Sequence, residues 1–182
     1  MLLACGSPGV LAGSNPALKS SAATVHLSAT VDERLSVVSA TPSVHFLLAP
    51  QTIAHADRPL AITTSWNLDP NRSEVVVRAF FSDPASALAT QESAAAVDRI
   101  SGSEVFARAA TGTPRAFTSF ATTGSSAGPT GGLEIFRQPL HPGVNDQDSR
   151  TDVVELQLDL RSRARLSAGH YDGVLTLVAQ AY

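Results

Sequence analysis

Five residues, Gly124-Ser125-Ser126-Ala127-Gly128, match the G-x-S-x-G pattern of a nucleophile elbow, which would make Ser126 an activated serine. An elbow holds that hydroxyl at the start of a helix, so it needs a strand before the turn and a helix after it. Pro129, Gly131 and Gly132 follow here instead. The stretch from Thr122 to Gly132 reads as a flexible hairpin loop rich in Ser and Gly, where the pattern arises by chance, and no catalytic residue is expected.

Metal chemistry has equally little support. His26, His45, His55, His141 and His170 are dispersed, with no H-x-H or H-x-x-x-H pair to set two imidazoles side by side. The run "NDQDSRTD" gathers Asn145, Asp146, Asp148 and Asp152, oxygen ligands of the kind calcium takes, but lacks the glycine and the closing glutamate of an EF-hand loop. It is expected to be a solvated turn, and no metal or other cofactor is expected. Trp66, the only tryptophan, is in phase with Leu60, Ile62 and Thr64, which puts it on a core face. Exposed, it would be a ligand contact of the kind that stacks on sugars. Phe80 and Phe81 point to opposite faces of one strand, so one of them is expected to be exposed or covered by the alanine-rich segment that follows.

With so little chemistry in the motifs, the composition decides more. A chain of 182 residues buries a core without covalent staples, and Cys5, its only cysteine, permits neither an intrachain disulfide nor a cysteine-based zinc site. Hydrophobic residues make up 43% and charged residues only 16%, so Ser, Thr, Asn, Gln and Gly must cover the surface, as in many exported bacterial proteins. A net charge of −3 with scattered signs lacks the basic footprint that nucleic acid requires. The longest apolar runs are strand-sized, far short of the ~20 residues of a membrane-spanning helix.

Residues 1–22 read as a leader and linker, and residues 23–182 as the folded domain. Within the leader, Val10-Leu11-Ala12 suits cleavage before Gly13 as at the end of a secretory signal peptide, while "LLAC", Leu2 to Cys5, matches a lipoprotein box with Cys5 lipidated. A plain cytosolic leader is the third reading. Soluble export is preferred, giving a periplasmic, extracellular or cell-surface protein, and a start upstream of Met1 would account for the missing basic n-region.

From Thr24 onward the period is two. "TVHLSATV" sets Val25, Leu27, Ala29 and Val31 against polar neighbours, and further strands are expected at Leu35 to Ala40, Val44 to Leu48, Leu60 to Asn67, Glu74 to Ser82, Val105 to Ala110, Ala116 to Thr122, Leu133 to Gln138, Asp152 to Arg163 and Tyr171 to Ala181. Asp83, Pro84 and the alanines after them predict one short helix or helical loop near residues 84–96. About nine or ten short strands with almost no helix predict an all-β, immunoglobulin-like antiparallel β-sandwich.

The closing "AGHYDGVLTLVAQAY", after a long alternating strand, resembles the last strand of bacterial secreted immunoglobulin-like surface proteins, the fimbrial subunits of the chaperone-usher kind and the spore-coat-U-like proteins. The matching positions are Gly169, Tyr171, Gly173, Leu175, Leu177 and Ala179, with an aromatic end at Tyr182. The fimbrial disulfide is absent, and Tyr182 is final where the family aromatic is penultimate. The resemblance implies a terminal strand integral to its sheet, and a strand edge through which a periplasmic chaperone or another subunit pairs. Val25, Leu27 and Val31 would donate such a strand to a neighbour, or form the first strand of their own sandwich. The expected function is thus an exported, non-enzymatic surface or structural protein, a fimbria-like assembly subunit or adhesin. The alternative is a carbohydrate- or protein-binding β-sandwich module.

Overall fold

Alternation along one long strand sets the architecture. In the computed structural model, which describes residues 26–28, 32–90, 98–122 and 132–182, Val154, Leu156 and Leu158 turn inward and are buried, while Val153, Glu155 and Gln157 between them face outward. Spacing of two residues on a pleated backbone produces that division. The described residues form twelve strands: β1 (Arg34–Ser39), β2 (Ile53–His55), β3 (Leu60–Leu68), β4 (Glu74–Phe81), β5 (Leu88–Thr90), β6 (Arg99–Ile100), β7 (Val105–Ala109), β8 (Thr118–Ser119), β9 (Leu133–Pro139), β10 (Asp146–Asp159), β11 (Tyr171–Asp172) and β12 (Leu175–Ala181). All belong to one unit, Asp32–Tyr182; of residues 1–31 only His26, Leu27 and Ser28 are described, outside any strand.

Antiparallel ladders join the strands into a sheet of order β1-β3-β10-β7-β8, with β2 also on β10, a second of order β12-β4-β9, and a small one of order β11-β5-β6. A single core unites Ile62 and Trp66 of β3 and Leu158 of β10 with Val75, Val77 and Phe81 of β4 and Ile135 of β9. Side chains of two opposed sheets meeting in one core make a β-sandwich, and the chain is all-β. β4 is covered on both faces, since Val75, Val76 and Val77 are all fully buried. On its outer side Val76 lies in the ladder between Arg137 and Gln180, beneath a lattice in which Arg137 pairs with Glu74 and Glu134 and Arg78 with Glu134.

Three local expectations are revised. The helix near residues 84–96 is one 3-10 turn, Pro84–Ser86, with the Asp83 carboxylate accepting from the Ala85 N–H; residues 91–97 lie outside the described residues. Pairing of β5 with both β6 and β11 outweighs the helix propensity of Ala89. β10 starts at Asp146, six residues early, because its register with β3 runs on through the expected turn. The strand from Tyr171 to Ala181 breaks at Gly173 and Val174, and Val174 is 75% exposed. Gly173 is required there: a Cβ would sit 1.9 Å from the carbonyl oxygen of Ala87. Phe80 and Phe81 are both buried, within the expectation that one of them is exposed or covered.

Candidate functional site

β1 ends one sheet and β12 ends another, so the two outermost edges lie along one side of the sandwich, in contact but not paired. Where the seam widens it encloses a groove of about 820 Å3. One wall is the connection from β1 to β2. There Val44, Phe46 and Leu48 are half-buried and alternate with exposed Ser43, His45 and Leu47, the pattern predicted for a strand. The segment is extended but almost unpaired, held to the sheet by the bridge from Phe46 to Ala56 and by His45, whose N–H donates to the Asp57 carboxylate.

The opposite wall runs from Leu166 through the break at Gly173 to Leu175 and Leu177, and the floor is the core itself at Leu60, Phe81, Val105 and Leu156. Along the rim stand Ser39, Thr41, Ser43 and His45 on one side and Ser167, His170 and Asp172 on the other, with no Lys or Arg in the lining. An apolar floor flanked by strand edges suits an extended, alternating, uncharged segment. Covering a half-buried leucine there would contribute about 1 kcal/mol.

Tyr171 fastens the second wall. Its hydroxyl donates to Asp98 at 2.7 Å, and the same carboxylate oxygen accepts the Ser167 N–H at 2.9 Å. Those two hydrogen bonds hold the Asp98 carboxyl below its ordinary value, the Ser167 contribution being the larger. Burial, then the neighbouring carboxylate, pushes the Tyr171 hydroxyl up to about 12. His170 pairs with Asp172 on the solvent side, 3.1 Å apart.

Of the residues singled out from sequence, Gly169, Tyr171, Gly173, Leu175 and Leu177 all line this groove. Tyr182 is at the far end of the seam, beside a smaller cavity of about 390 Å3 shared with Glu33, Leu35 and Arg72. Leu27 is 91% exposed, while Val25, Val31, Ser126 and Cys5 lie outside the described residues. Trp66 is not a surface contact: it is 4% exposed, and its indole N–H donates to Asp146 at 3.1 Å. Asp146 also accepts from the His141 backbone, and Asp152 is held by Arg150 and by Thr111 at 2.6 Å, so these carboxylates serve the strand. Among the described residues no three His, Cys, Asp or Glu side chains converge on a metal position. Val44, Phe46, Leu48 and Leu166 were missed as site residues. Their alternation was visible, but which sheet edges they would border was not.

No family model, no curated protein and no solved structure matches this chain.

Proposed function

We propose that this protein is a non-enzymatic structural or adhesive protein of the exported class, a subunit that assembles by taking an extended apolar segment of a second copy into the seam between β1 and β12. The observation that carries this reading is the groove of about 820 Å3 at the side of the sandwich where two sheet-ending strands face each other without pairing. Sheet edges are ordinarily blunted by charge or covered, and an edge without charge, as at β12, beside an apolar groove is a template for another strand. The likeness of the terminal strand to secreted surface subunits supports the same reading. So does "TVHLSATV", residues 24–31, whose alternation suits an apolar groove lined without Lys or Arg.

Molar mass by light scattering across a concentration series tests the proposal, using the full chain and its Leu48→Arg variant. The reading predicts association that grows with concentration and is lost in the variant, with far-UV circular dichroism unchanged. A full chain that stays monomeric throughout overturns it.

A further inference from the structure

We infer that Arg163 is the positioning residue of the groove, a clasp that joins the roots of both walls and so sets their spacing without lining the cavity itself. The inference rests on the strand-docking reading above and names what tunes that site.

Arg163 lies between the end of β10 and the second wall, and all three nitrogens of its guanidinium donate hydrogen bonds. Nε donates to Glu104 at 2.5 Å, Nη2 to the other Glu104 oxygen at 2.9 Å and to the Arg99 carbonyl, and Nη1 to Asp98 at 3.1 Å. Asp98 is the residue that holds Ser167 and Tyr171, so the second wall hangs on Arg163 through one carboxylate. Glu104 is itself fixed, accepting the Ser101 N–H at 2.9 Å in a capping box.

The main chain of the same residue reaches the other wall. Its carbonyl accepts the Gln51 N–H at 3.1 Å, and the Leu160 N–H donates to the Thr52 carbonyl at 2.9 Å. Gln51 and Thr52 are the root of the wall that carries Val44, Phe46 and Leu48, and Gln51 has a positive φ of 60°, a conformation that needs outside support. One residue thus meets both walls, by side chain on one side and backbone on the other. Only a planar fork with several fixed donors can hold Glu104 and Asp98 together, so lysine would not substitute.

Hydrogen exchange on the full chain tests the clasp, in Arg163→Gln, Arg163→Lys and a control, Arg161→Gln, whose arginine among the described residues pairs with Asp159 alone and whose side chain is 67% exposed. Exchange should quicken at least about tenfold at Ser167 and also at Gln51 in both Arg163 variants, with β3 and β10 unchanged and the control at wild-type rates. Gln51 is the decisive amide, because its acceptor is a backbone carbonyl that the substitution leaves in place. Faster exchange at Ser167 alone, or equally throughout β3 and β10, overturns the clasp. Binding of a synthetic peptide of residues 24–31 separates the two claims. A wild type that does not bind it overturns the docking reading and the clasp's part in it. Binding by wild type that Arg163→Gln leaves within twofold overturns the clasp alone, whereas weakening of about tenfold or more supports it.

Discussion

Tyr171 shows how one side chain ties a loop to a function. The phenol spans the gap between Ser167 and Asp98, and its removal in Tyr171→Phe should cost about 1 kcal/mol in urea denaturation, because Asp98 keeps its Ser167 and Arg163 donors. The pH dependence has two limbs. A carboxyl held low contributes fully above its ordinary range and loses that contribution as pH falls through its lowered value. A phenol raised to about 12 contributes below its ordinary value of 10.0 and loses that contribution as pH climbs from there. The gap between wild type and Tyr171→Phe, followed by urea midpoint, should therefore be widest near neutrality and close above pH 10. A gap that persists unchanged to pH 12 would contradict the hydrogen bond. Gly173→Ala is predicted to be worse than Tyr171→Phe, costing about 1–3 kcal/mol, because the new methyl must displace the Ala87 backbone. The glycine and the tyrosine were both legible as a pattern. Their reasons, a carbonyl 1.9 Å from the added carbon and an aspartate 73 positions away in the chain, were not.

At the scale of elements, legibility followed burial on one face. β3, β4 and the second half of β10 were placed within a residue or two at most ends, because β3 and β10 bury every second residue and β4 is an apolar run of strand length. The first half of β10 was hidden for the opposite reason. Its covered positions on the core-side face are Asp146, Arg150 and Asp152, opposite Leu68, Thr64 and Ile62 across the ladder, while Asp148, opposite Trp66, is exposed. Such charges are tolerated on an inner face only when neighbours satisfy them, and those neighbours come from Thr111, Phe136 and Trp66, remote in sequence. Two substitutions separate the cases. Asp152→Ala strands Arg150 and Thr111 beside a fully buried position and should cost about 3 kcal/mol by chemical denaturation. Thr64→Val should be neutral or stabilising by about 0.5–1 kcal/mol, since the buried Thr64 hydroxyl has no hydrogen-bond partner among the described residues. A large loss in the second variant would show that the hydroxyl is satisfied after all. The expected short helix or helical loop is a single 3-10 turn, Pro84–Ser86, and the strand that follows it has a third reason. Alanine propensity is worth tenths of a kcal/mol per residue, and pairing with two neighbouring strands overrode it.

At the scale of the molecule, the groove was not readable from any one segment. It exists because β1 and β12 end different sheets, because the link from β1 to β2 is extended without a full partner, and because the last strand breaks at Gly173. Each of these is a consequence of sheet order, which alternation does not encode. A sandwich that left such a seam open without use would carry an aggregation hazard, which is why the edge is read as a docking place. The most direct measurement is amide hydrogen exchange along β1 and β12 with a synthetic peptide of residues 24–31, and with the same residues in an order that destroys the alternation. The account predicts new protection at Arg34–Ser39 and Leu175–Ala181 with the alternating peptide alone. Unchanged exchange at both edges, or equal protection by the scrambled peptide, would contradict it.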